Sequence, residues 1–160
     1  MIPDGLEIET PPDEPVIRFR RFFRATPERV FAAWTDPEAL RHWWGPAGWS
    51  LIVCEIDLRV GGRYRHVLRT PDGEQFTSWG EYLEIEPGRR LVNTFVLDIT
   101  ADRHSVDALD FLAEGGGTVL SGESRHESVA ARDAHVSGGM ERGMREGYGR
   151  LDQWIEKESR

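Results

Sequence analysis

The sequence predicts an α+β fold: a curved antiparallel sheet wrapped around a long C-terminal helix, with two short helices after the first strand. Three observations predict it. Residues 49–126 fall into short alternating apolar and polar runs separated by tight turns, the pattern of an antiparallel meander. Met140, Met144, Tyr148, Leu151 and Ile155 recur at spacings of 4, 4, 3 and 4, which is one face of a helix. A short helical segment ending in Trp43-Trp44-Gly45-Pro46 carries more aromatic surface than it can bury alone, and a sheet with a helix across it supplies the partner.

Each element has its own local signal. Residues 1–15 hold Pro3, Pro11, Pro12 and Pro15, five carboxylates and little to bury, so they are expected to form a flexible acidic arm ahead of a single domain over residues 16–158. Residues 16–24 alternate as a strand with Ile17, Phe19, Arg21 and Phe23 on one side, Arg21 interrupting the apolar face. Thr26-Pro27-Glu28 and Asp36-Pro37-Glu38 each place a capping oxygen, a proline at the first helical position and a carboxylate at the positive helix end. Val30, Phe31 and Trp34 make one stripe; Leu40, Trp43 and Trp44 make the next, and Gly45-Pro46 ends it.

Strands follow over residues 51–57 and 63–70 around Gly61-Gly62, then 75–86 and 89–98 around Pro87-Gly88. A last pair, 105–112 and 118–125, flanks Gly115-Gly116-Gly117, and Pro71-Asp72-Gly73 is a further reversal. Residues 137–158 predict one helix of about 30 Å, with Glu141–Arg145 and Glu146–Arg150 pairs on its solvent side. Gly143 and Gly147 border the apolar face at a cost of about 1 kcal/mol each relative to Ala. They imply either close backbone packing or room left for a ligand.

Composition narrows the function. A chain of 160 residues is long enough to bury ~68–70% of its unfolded surface in one core. The net charge is −8, but five of the 28 carboxylates lie in residues 1–15, and the remaining 23 nearly balance 20 basic groups. That balance argues against nucleic-acid binding. No apolar run is long enough for membrane insertion. Cys54 is the single cysteine, so neither an internal disulfide nor a cysteine zinc cluster is expected. Residues 1–14 lack the basic and apolar regions of a secretory signal, and a cytoplasmic location is the expectation. Only Lys157 among the basic residues is lysine, a bias that fits codon usage better than anion recognition.

The ordered motifs resemble a known family. They are Ala25-Thr26-Pro27-Glu28-Arg29-Val30-Phe31, Ala33-Trp34-Thr35-Asp36-Pro37, Trp43-Trp44-Gly45-Pro46 and Asp57-Leu58-Arg59-Val60-Gly61-Gly62-Arg63-Tyr64. Gly80-Glu81-Tyr82-Leu83-Glu84-Ile85 and the closing Gly147-Tyr148-Gly149-Arg150-Leu151 continue the series. Over residues 16–156 the chain is similar to the helix-grip (START-like, birch-pollen-allergen or SRPBCC) superfamily. Within it, the chain resembles the branch named for the activator of the heat-shock-protein-ninety ATPase. The resemblance implies a sheet gripping the C-terminal helix over an apolar cavity, and a range of roles: carriers, polyketide cyclases, resistance proteins and chaperone-binding modules, many of them bacterial and some tied to stress responses. A shared fold does not select among these.

The leading expectation is a non-enzymatic domain that binds an apolar small molecule, aromatic or lipid-like. Its proposed lining is Tyr64, His66 and Leu68 from the sheet, Trp43 or Trp44 at the mouth, and Met144, Gly147, Tyr148 and Leu151 from the helix. The family usually has an apolar residue where His66 stands. That imidazole is either a hydrogen-bonded core histidine or, in a cyclase- or hydrolase-like alternative, a proton carrier working with Tyr64. A third alternative is a chaperone-linked interaction module using the arm and the outer sheet face, and a homodimer is possible in this superfamily. No cofactor is expected. His42, His104, His126 and His135 show no metal-ligand spacing, and no glycine pair fits a phosphate loop.

Overall fold

Alternating side chains and glycine-bearing turns dictate antiparallel pairing, and a computed structural model, which describes residues 5–158, shows eight strands in one sheet. They are β1 (Glu7–Glu9), β2 (Val16–Phe23), β3 (Ser50–Ile56), β4 (Arg63–Arg69), β5 (Gln75–Glu86), β6 (Arg90–Leu97), β7 (Ser105–Glu114) and β8 (Gly117–His126). The order across the sheet is β1-β2-β8-β7-β6-β5-β4-β3. From β3 to β8 the chain therefore meanders, and β2 closes against β8 to complete the sheet. Register shifts between Leu51 and Val53 and between Tyr82 and Glu84 add local twist and help the sheet curve.

Helices α1 (Pro27–Thr35) and α2 (Pro37–Leu40) start as their capping residues predict. The Thr26 hydroxyl accepts from the Arg29 N–H at 3.3 Å, and the Asp36 carboxylate accepts from the Glu38 N–H at 3.0 Å. They deliver Trp43 into the core, where its indole N–H donates to the Ala33 carbonyl at 3.0 Å. Helix α4 (Met140–Glu158) lies over the sheet, with Tyr148, Leu151 and Ile155 buried. Tyr148 sits 5.7 Å from both Phe23 and Trp34 and 6.0 Å from Trp43, so one helix residue ties α1, the Trp43 turn and β2 together.

Three expectations are corrected. Residues 7–9 of the expected arm form an edge strand on β2, with Leu6 fully buried, because acidic and apolar residues alternate there and Glu7 and Glu9 pair opposite Arg20 and Arg18. The stretch that follows, from Pro11 to Val16, is held by Arg132, whose guanidinium donates to the carbonyls of Pro11, Glu14 and Val16 at 2.8–3.0 Å. Residues 1–4 of the arm lie outside the described residues.

The second correction concerns the long helix. It does not begin at Ser137: α3 (Val129–Ser137), started by a Ser128 cap, ends at Gly138, and α4 restarts at Met140. Gly139 makes the junction with a φ of 96°, a backbone state that side chains disfavour. Third, Arg150 does not pair with Glu146 on the solvent side. It turns inward and donates to the carbonyls of Trp43, Trp44, Gly45 and Pro46. Glu146 instead accepts from the Ala47 N–H at 3.0 Å and from Arg142.

The anomaly of Arg21 on the apolar side of β2 also resolves. Its guanidinium is buried, stacks over Phe23 at 4.7 Å, and makes a two-pronged ion pair with Asp152 of α4 at 2.6 and 2.8 Å. It fastens helix to sheet through charge where the rest of that contact is apolar.

Candidate functional site

Between the concave sheet face and α4 lies a cavity of about 300 Å³. Of the nine residues expected around it, eight stand on its wall: Trp43, Trp44, Tyr64, His66, Leu68, Met144, Gly147 and Tyr148. Leu151 does not. It is fully buried one turn further along α4, packed into the core beyond the end of the hollow. Leu68, Phe76, Leu97, Met140 and Met144 are only partly buried and mark the open end; Leu40, Trp43, Tyr82, Leu91 and Tyr148 are buried and mark the closed one.

Trp43 and Trp44 divide the two roles open to them. Trp43 is 1% exposed and locked by its indole hydrogen bond, so it closes the core and shows the cavity part of its ring. Trp44 is half-buried and packs edge-on against His66, with ring centres 5.5 Å apart. Gly147 and Gly143 both border the cavity, but Gly147 is also required for close packing. A Cβ there would lie 3.0 Å from the Trp43 carbonyl oxygen, tighter than ordinary van der Waals contact.

His66 stands between the rings of Trp44 and Tyr64, 94% buried, and its Nδ1 has no hydrogen-bond partner among the described residues. Burial pushes its pKa down to about 4, so the imidazole is neutral at pH 7. A hydrogen bond with the Arg65 backbone acts in the opposite direction and is outweighed by desolvation. Tyr64 beside it is fully engaged: its hydroxyl donates to the Thr94 carbonyl at 2.7 Å and accepts from the Asn93 amide at 3.2 Å. Burial raises the Tyr64 phenol well above its ordinary pKa. Cys54 pairs across from His66 and is buried, its thiol pushed up to about 11 by desolvation, which leaves it protonated and unreactive.

A second polar group on the wall comes from residues the sequence reading passed over. Pairing places Tyr82 opposite Asn93, Asn93 opposite Asp107, and Asp107 opposite Ser124, so one rung across β5 to β8 presents four polar side chains to the hollow. Burial raises the Asp107 carboxyl to about 6, with the Ser124 hydroxyl, hydrogen-bonded to it, acting in the opposite direction. Ser124 also lies 3.0 Å from the His126 Nε2. A serine that donates to Asp107 accepts there, which puts the proton of neutral His126 on Nε2. Burial, His135 at 5.1 Å between ring centres, and Arg132 hold His126 down to about 4.

These three residue types do not form a nucleophilic triad. A triad needs histidine between serine and carboxylate, and here serine is in the middle. The signal for the rung was present in the sequence: Ser105, Asp107, Leu109 and Phe111 alternate, as do Leu91, Asn93, Phe95 and Leu97, so Asp107 and Asn93 fall on apolar faces. What one strand could not show is that they are neighbours. Among the described residues no group of three or more His, Cys, Asp or Glu side chains is arranged to hold a metal ion, and no helix is long and apolar enough to cross a membrane.

The family described as activator of Hsp90 ATPase homolog 1-like protein matches residues 24–156. A crystal structure of a protein from Rhodobacter sphaeroides is similar with a TM-score of 0.88 and 31% identity, covering 95% of this chain and 99% of that one. A protein from Chromobacterium violaceum follows the same fold with a TM-score of 0.76, 28% identity and coverage of 89% and 97%. A Silicibacter pomeroyi protein of the same family name, 21% identical over 89% of this chain and 99% of its own with a TM-score of 0.71, shares the fold. No curated protein matches.

Proposed function

Because the chain belongs to the activator of Hsp90 ATPase homolog 1-like family, with its helix-grip fold, we propose that it works as a binding domain for a largely apolar small molecule held between sheet and helix. The observation that carries this is the hollow itself: about 300 Å³, walled mainly by aromatic and aliphatic side chains, with an unpartnered imidazole nitrogen on its wall. An apolar wall favours ligand entry by desolvation, and an unsatisfied buried polar atom gains from a ligand that reaches it. Met140 and Met144 on α4 are flexible enough to follow the shape of what enters.

The chemistry weighs against the cyclase- or hydrolase-like alternative. A histidine with a pKa of about 4 is a poor proton acceptor at neutral pH, and the Tyr64 proton is committed to a backbone carbonyl. Docking to a chaperone and self-association would use the outer sheet face, where Trp79, Leu83, Val106 and Leu112 are exposed. Those residues name no partner, whereas the cavity has a definite size and lining.

Titration with 1-methylnaphthalene tests the proposal. We expect saturable 1:1 binding, read from the indole resonances of Trp43 and Trp44 and from native mass spectrometry. Met144→Trp, which fills the hollow from α4, is expected to weaken that binding about tenfold or more. Unsaturable or surface-type binding that ignores Met144→Trp would remove the reading.

A further inference from the structure

Two acidic residues border the cavity, and only one of them turns its carboxylate into it. Glu123 alternates with the inward Ser124 on β8, so its carboxylate lies on the outer face, where Arg18 donates to it at 3.1 Å and Arg125 at 3.3 Å. Asp107 faces the same hollow, and among the described residues no salt bridge reaches it. Its one hydrogen-bonding neighbour there is the Ser124 hydroxyl, which is shared with His126. A carboxylate inside an apolar cavity is costly unless a positive or donating group meets it, and proteins rarely retain one without a partner.

The surroundings specify what kind of partner fits. Tyr64, Tyr82 and Tyr148 all line the hollow, and the Asp107 charge is felt at both Tyr64 and Tyr148. Tyr82 pairs opposite Asn93, the residue beside Asp107 on the rung. The Tyr64 hydroxyl is already saturated, so what that residue offers a guest is its ring rather than its proton. Aromatic faces around a carboxylate attract a compact cation from two directions at once, by charge and by ring quadrupole. An anionic head would meet the opposite: a like charge at Asp107 and no arginine among the described residues of the lining to offset it.

Resting on the binding role proposed above, we infer that the ligand is amphipathic and cationic: an apolar, ring-sized body lying toward Trp44, Leu68 and Met144, with a protonated amine seated against Asp107 between the tyrosine rings. Asn93 and Ser124 flank that seat, and the Ser124 hydroxyl holds the carboxylate by a hydrogen bond. His66, neutral and with a free Nδ1, stands along the body of the ligand and not at its head.

The test uses one body with four ends: 1-naphthylmethylamine, 1-naphthalenemethanol, 1-naphthoate and 1-methylnaphthalene, titrated into the full chain at pH 7.5 by calorimetry. The amine is expected to bind about tenfold more tightly than the alcohol, and the naphthoate about tenfold more weakly than it. In Asp107→Asn the amine and alcohol are expected to come within about threefold of each other, while 1-methylnaphthalene still binds and far-ultraviolet circular dichroism is unchanged. Asp107→Glu, which keeps the charge, is expected to restore most of the amine preference. If the alcohol or the naphthoate equals the amine in the unmodified protein, or the ranking survives Asp107→Asn, the cationic head is wrong and the binding role stands. If none of the four binds, both fall.

Discussion

Two parts of the cavity wall differ in how their side chains are satisfied. At the open end Trp44, Leu68, Phe76, Met140 and Met144 present carbon to carbon, and any similar side chain would serve. On the rung across β5 to β8 Asn93 donates to the Tyr64 hydroxyl and the Thr94 carbonyl, and Ser124 is hydrogen-bonded to Asp107 and His126. Apolar surface confers affinity without orientation, whereas polar groups of fixed geometry confer orientation at the cost of desolvation. The lesson is that a hollow can be permissive about shape and selective about one group.

The comparison breaks most completely if the core behind the wall is removed. Trp43→Ala deletes a fully buried indole together with its hydrogen bond to Ala33 and its contacts with Trp34, Trp44 and Tyr148. We expect a loss of about 3–5 kcal/mol in denaturant unfolding, with ligand binding lost altogether.

Acid sharpens the contrast, because an imidazole and a carboxyl on the wall respond with opposite sign. His66 has a folded pKa of about 4 against 6.5 when free, so the unfolded chain takes up the proton first and stability falls as pH drops from 6.5 towards 4. Asp107 has a folded pKa of about 6 against 3.8, so the folded chain takes up the proton first and stability rises as pH falls over the overlapping range from 6 towards 4. His66→Phe should therefore lessen the acid loss, and Asp107→Asn should deepen it. Each change is expected to be about 2–3 kcal/mol across that window, measured by urea unfolding at closely spaced pH values. The same sign in both variants would mean that the two groups do not differ in the way described.

The smallest expected effect tests whether the glycine on α4 is there for the backbone or for the hollow. Gly147→Ala gains about 1 kcal/mol of helix propensity but places a methyl 3.0 Å from the Trp43 carbonyl oxygen, so a net loss of about 1 kcal/mol is expected by thermal unfolding. A net gain would show that α4 can move away and that Gly147 serves only the space beneath it.

Much of this was legible residue by residue. Thr26 and Asp36 announce their helices because capping is local chemistry, and Tyr64, His66 and Leu68 share a face because strand geometry alternates. The break at Gly138-Gly139 lies just ahead of Met140, where the apolar stripe begins, so the periodicity carries no sign of it. Arg132 and Arg150 gave no local sign of turning inward, since a long cation on a helix is usually solvated and only a distant set of carbonyls draws it in.

By itself, then, the sequence determined the strands, the capped short helices, the amphipathic C-terminal rod and the single apolar faces of each, all consequences of short-range periodicity and turn chemistry. Only the tertiary structure decided that Asn93, Asp107 and Ser124 meet, that Arg21 finds Asp152, and that Leu151 packs solid while Tyr148 borders a space. Those outcomes depend on which strands are neighbours and in what register. Pairing of that kind is settled by the closure of the whole sheet around α4, and no window of a few residues contains it.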